Sequence, residues 1–118
     1  RSEVKLLSTI DELLTLLLEK GKKKEAISLI DRKIEIVGPH SLMACGYAEK
    51  LGKLHVELKN YERAESAYLL SLQNLERAFG KGSDKCKGPI KELVLLYEQW
   101  GKKGQSKAMK DRLKKKGQ

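Results

Sequence analysis

The chain has 118 residues, enough for one domain, and carries 25 Lys+Arg against 16 Asp+Glu, a formal charge of +9. It is 40% hydrophobic and 35% charged, with little proline and few aromatics, which is the composition of helices packed mainly through leucine. No apolar run approaches the ~18 residues of a membrane span. Two cysteines and two histidines make neither a disulfide framework nor a zinc site, and no nucleophile–base pair or carboxylate dyad stands at a useful spacing, so no cofactor, metal or catalytic role is expected.

The charge is uneven. Residues 1–40 hold 8 basic and 7 acidic side chains, residues 41–80 hold 5 and 5, and residues 81–118 hold 12 and 4. The excess is a C-terminal feature and not a property of the whole surface. Two free thiols suit a reducing intracellular compartment such as the cytoplasm. The chain opens on Arg1 without a signal peptide, and it is expected to be a fragment or processed piece of a longer protein.

Periodicity predicts six helices, near 3–20, 23–37, 41–58, 61–79, 86–100 and 104–116. The first holds Leu6, Leu7, Ile10, Leu13, Leu14, Leu16, Leu17 and Leu18, more than one buried face requires. Some of these are expected to cover an edge, an upstream segment or a second copy of the chain, so self-association through this helix is one expectation. "IVGPHS" breaks the second helix from the third: Gly38 can take a left-handed cap, Pro39 cannot continue a helix, and Ser41 can cap the next. "FGKGSDKCKGP" separates the fourth from the fifth, with Ser83 or Asp84 as cap. It lacks the GxxxxGK[ST] order and follows a helix, so it reads as a linker and not as a phosphate loop. Trp100 ends the fifth helix and is expected to pack on the turn that follows.

The helices come in three related pairs. Leu51-Gly52 is followed by His55, then by Ala64 nine residues on and Tyr68 four after that. Thirty-eight residues earlier the same spacing gives Leu13-Leu14, Leu17, Ala26 and Ile30. Downstream, Leu93-Val94 is followed by Tyr97, and Ala108 comes eleven later, which predicts two extra residues in the third turn. Antiparallel helices approach closely only where facing residues are small, so Ala26, Ala64 and Ala108 are placed at the crossings, with Leu51, His55, Tyr68 and Tyr97 as packing residues. His55 stands at an aromatic packing position and reads as core, not as a ligand.

These residues resemble the tetratricopeptide repeat (TPR) pattern W-x2-L-G-x2-Y…A-x3-F…P. Leu51, Gly52, Ala64 and Tyr68 match in the second copy, Leu13, Leu17, Ala26, Ile30 and Pro39 in the first, and Leu93, Tyr97 and Ala108 in the third. The resemblance implies an all-α fold: one domain, 1–118, of three helix-turn-helix repeats (about 3–39, 41–82 and 86–116) stacked as a short right-handed superhelix. The long second connection, with Tyr97, Gln99 and Gly101 after it, resembles the long-repeat subtype of kinesin light chains. In general architecture the chain is also similar to the C-terminal TPR domains of FLU-type chloroplast regulators. That likeness implies binding to glutamyl-tRNA reductase, repression of tetrapyrrole synthesis, and membrane attachment through segments outside this chain.

Stacked hairpins line a concave side with their first helices. The stripes facing it are read as Ser8, Glu12, Thr15 and Glu19, then Gly46, Lys50, Lys53 and Glu57, then Gly88, Glu92, Leu95 and Gln99, at i, i+4, i+7, i+11. Both signs mix with small and apolar residues, which suits a partner protein's helix or extended segment more than a polyanion. The Lys/Asn/Arg clamp that some TPR domains close on chaperone C-termini is missing, since Asp11, Glu12, Thr15, Lys91 and Glu92 occupy the relevant stretches. The tail "SKAMKDRLKKKGQ" offers Lys107, Lys110, Lys114 and Lys115 as a basic contact for RNA or an anionic surface. It has no interleaved aromatics to stack on bases, so a solubilising end helix is the favoured reading and nucleic acid is disfavoured.

Overall fold

The computed structural model describes residues 2–114. Among them are six α-helices and no strand: α1 (Ser2–Glu19), α2 (Lys23–Val37), α3 (Ala44–Glu57), α4 (Tyr61–Phe79), α5 (Lys87–Trp100) and α6 (Lys103–Lys114), with a 3-10 turn (Asp84–Cys86) leading into α5. Each odd helix pairs with the even helix after it, and each hairpin lies against the next. The molecule measures 43 × 30 × 18 Å with a radius of gyration of 15.0 Å. That exceeds the roughly 13.5 Å of a compact domain of this length, as a layered stack should.

Three turns close the hairpins with one geometry. The N–H groups of Lys22, Asn60 and Lys102 donate to the carbonyls five residues back, Leu17, His55 and Tyr97, at 2.8 Å in every case. The residue before each donor has positive φ: Gly21 at 73°, Lys59 at 63° and Gly101 at 79°. This is the left-handed stop of a helix end, which glycine takes without strain. The N–H groups of Ala26, Ala64 and Ser106 then donate to the carbonyls of Lys22, Asn60 and Lys102.

That equivalence corrects the expected third copy. Its turn holds no extra residues. Ser106, nine positions after Tyr97, occupies the crossing that Ala26 and Ala64 occupy and is 3% exposed, whereas Ala108 lies on the exposed side of α6. Gly101 stops α5 at once, α6 begins at Lys103, and a serine is still small enough for the close approach of two helices. The helix expected from 41 starts at Ala44 instead, because the Ser41 hydroxyl donates to the Gly38 carbonyl at 2.7 Å rather than capping α3. Ser83 does cap: its hydroxyl accepts the Lys85 N–H at 3.1 Å and opens the 3-10 turn.

The apolar core is divided into two layers, both shared between hairpins. Leu14, Ala26, Ile30 and Ile34 of the first hairpin meet Ala44, Ala48, Leu51 and Leu54 of α3. Ala64, Tyr68 and Leu72 of α4 meet Ile90, Leu93, Leu96 and Tyr97 of α5. A single amphipathic hairpin has no other way to cover its second face. Polar crossings repeat as well. Lys33, fully buried on α2, is paired with Asp11 of α1 and lies 4.2 Å from the centre of the Tyr47 ring. Thirty-eight residues on, Ser71 donates to Glu49 at 3.2 Å. A lysine this deep is tolerated only with its charge matched.

Candidate functional site

The surface to which the odd helices contribute one stripe each contains a cleft of about 250 Å³ between α3 and α5. Lys53 and Glu57 stand one turn apart on α3, and Glu92, Leu95 and Gln99 follow the same helical stripe on α5. Lys53 reaches Glu92 at 3.9 Å, and Glu57 is met from α2 by Lys23 at 3.3 Å. These pairs are largely exposed and hold the rim in shape more than they stabilise the fold. Leu95 is 56% exposed at the centre, an apolar point ringed by both signs of charge.

The floor is a residue the sequence reading assigned to packing alone. Tyr68 on α4 is 1% exposed, yet it lines this cleft. Burial pushes its hydroxyl well above the usual tyrosine range, and the carboxylates of Glu92, Glu49 and Glu57 push in the same direction. Tyr68 therefore stays a neutral phenol, a donor able to face a carboxylate. Gly52, with no side chain, lets the Tyr68 ring lie against α3.

The cleft unites Lys53, Glu57, Glu92, Leu95 and Gln99. Lys50 is exposed on α3, and Glu12, Thr15 and Glu19 are exposed on α1, none of them lining it. Thr15 turns its hydroxyl back to the Asp11 carbonyl at 3.1 Å. Ala26, Ala64, Leu51, His55, Tyr68 and Tyr97 are buried as packing residues. His55 is 6% exposed, and burial pulls its imidazole below the usual range, opposed by Asp31 and aided by Arg63. At the hairpin edge, Trp100 stacks at 6.4 Å on Tyr97 and 5.9 Å from Tyr61, with Lys102 over its face at 4.3 Å. At the basic end, Lys110 pairs with Glu98 at 2.8 Å, Lys107 with Asp111 at 3.4 Å, and Arg112 with Glu76 at 2.6 Å. Lys114 is exposed, and Lys115 lies outside the described residues. No cluster of three or more His, Cys, Asp or Glu suited to a metal occurs among the described residues, and no described helix is long and apolar enough to cross a membrane.

Fold and cleft together define a class, an all-α stack of helix-turn-helix repeats with a cleft between α3 and α5. Among solved structures the chain is similar to BtubC (BKLC) from P. vanneervenii, with a TM-score of 0.75 and 21% identity over 85% of this chain and 41% of that one. At that identity the likeness concerns the fold, and the chain spans less than half of that protein's length. No family model matches the sequence, and no curated protein does.

Proposed function

We propose that the chain is a non-catalytic protein-interaction module of TPR type, holding a helix or extended segment of a partner protein across α3 and α5. The observation that carries this reading is the exposed Leu95 above Tyr68, flanked by Lys53, Glu92 and Gln99. An apolar anchor on the partner would bury Leu95, and flanking charges of either sign would find a match. The helical-repeat likeness supports the same role. The narrower form, drawn from the likeness to FLU-type regulators, has glutamyl-tRNA reductase as partner, repression of tetrapyrrole synthesis as effect and the chloroplast as compartment. The rival surface, the basic α6, carries no aromatic side chain to stack on bases, which weakens it as a site for RNA.

The test is affinity capture from source extract, with and without nuclease, using the wild type, a Lys53→Glu/Leu95→Asp variant and a Lys107→Glu/Lys114→Glu variant. A stoichiometric protein kept after nuclease, lost with the first variant and retained by the second, supports the groove. The opposite pattern assigns binding to α6. Purified glutamyl-tRNA reductase, titrated directly, decides the narrower form.

A further inference from the structure

The outward faces of α1 and α6, the first and last described helices, correspond by repeat position to the two sides of each internal junction. At each internal junction an odd helix seats on the preceding hairpin: α3 through Leu51 and Leu54, α5 through Leu93 and Leu96. The equivalent residues of α1 are Leu13 and Leu16, and they stand open at 44% and 52% exposure. Beside α6, a groove of about 470 Å³ lined by Glu98, Gly101, Lys103, Ser106, Lys107 and Lys110, three lysines against one carboxylate, is the repeat equivalent of the surface that receives α5 one hairpin earlier. The Ser106 hydroxyl lines that groove, is buried, and has no hydrogen-bond partner among the described residues.

We propose that α1 of a second copy seats in this groove, joining copies head to tail in the same register that joins hairpins within the chain. Charge argues for this occupant. α1 carries four acidic residues against one lysine, and α6 carries five basic residues against one aspartate. The register pairs them individually. Lys23 meets Glu57 at 3.3 Å across the first junction, and the equivalents of these two at the new junction are Lys103 and Glu19. Glu92 faces Tyr68 at the second junction, and the corresponding pair is Glu12 with Lys110. Leu13 and Leu16 would lie on Ser106 and on the methylene stem of Lys110. A symmetric contact of α1 with α1 would instead bring together two helices that are both net acidic. Lys110 must exchange Glu98 for its new partner, which costs little for an exposed pair. The association is therefore weak and salt-sensitive, and the contact does not close on itself, so stacks grow with concentration.

Sedimentation velocity of the 118-residue chain over a range of concentrations tests this. The wild type should gain mass with concentration and lose the gain at high salt. Lys103→Glu/Lys110→Glu and Glu12→Lys/Glu19→Lys should each weaken association by about tenfold or more with helicity unchanged. An equimolar mixture of the two should recover it, because one intact groove then meets one intact α1. A wild type that stays monomeric at every concentration overturns the proposal. So does association that survives Lys103→Glu/Lys110→Glu, which would assign the contact to α1 with α1. Lys53→Glu/Leu95→Asp leaves both ends intact, so partner capture and stacking fail independently.

Discussion

The Tyr68 ring lies directly on Gly52: a Cβ added at residue 52 would stand 2.5 Å from the ring. The two positions are coupled, because the first hairpin fills the same crossing with Leu14 and Ile30, both buried. A large–small exchange across one helix pair keeps the layer spacing constant.

Gly52→Ala should therefore destabilise the fold by about 1–3 kcal/mol, because the added methyl overpacks against the Tyr68 ring and forces it to shift. Combining Gly52→Leu with Tyr68→Ile, which copies the first hairpin, should recover much of the loss that Gly52→Leu causes alone. Urea unfolding of the four corners of that cycle measures the coupling. Additivity would mean that the ring and residue 52 do not compete for space.

Lys59 holds a left-handed conformation that Gly21 and Gly101 hold in the equivalent turns. Lys59→Gly should stabilise the protein by about 0.5–1 kcal/mol, and Gly21→Ala should cost about as much, since relief of strain outweighs the added freedom of the unfolded chain. Midpoints of chemical denaturation with unchanged m-values would show both shifts.

His55 gives the second hairpin a pH dependence. The charges that act on it are Asp31 on α2 and Arg63 on α4, and Asn60 lies 3.5 Å from its Nδ1. Because burial lowers its folded-state pKa below the ordinary histidine value of 6.5, the unfolded chain binds the proton more readily. Stability is then fully present above the unfolded pKa and is lost as pH falls from there toward the folded one. Asp31, raised by burial, acts in the opposite direction but in a lower window that starts at 3.8. Melting temperature should fall between neutral and mildly acidic pH, and His55→Gln should flatten that slope. An unchanged slope in His55→Gln would place the titrating group elsewhere.

Cys45 and Cys86 are buried in different parts of the stack, with Cys45 donating to the Ser71 carbonyl at 3.6 Å and Cys86 to the Gly80 carbonyl at 3.5 Å. Burial pushes both thiols up. Each should react with a thiol reagent at least about a hundredfold more slowly in the native protein than in urea, because labelling waits on local opening. Measured singly in Cys45→Ser and Cys86→Ser, the two rates report the two halves of the stack. Fast native labelling of either would contradict its burial.

The spacing of Leu51, His55, Ala64 and Tyr68 was enough to read the hairpins and their stacking, because packing at a helix crossing demands small and large residues at fixed intervals. The third copy misled because the alanine at 108 outweighed the serine at 106; the positive φ of Gly101, which fixes the turn length, decides between them. The odd-helix stripe was legible from helical periodicity, and the part spanning α3 and α5 forms a cleft. Its floor was not legible, since a tyrosine in a packing position gives no sign of which surface its hydroxyl reaches. Lys33 was missed for a related reason: its partner, Asp11, is on another helix, and only the tertiary pairing makes its burial tolerable.

Because both apolar layers are shared between neighbouring hairpins, a segment that can be copied must carry a whole junction. A cut from Ala26 to Arg63 holds one complete period of 38 residues. Inserting that segment once more, in frame, would add a full junction without opening a new apolar end. The groove could then be lengthened one period at a time, as a ruler is extended by whole divisions.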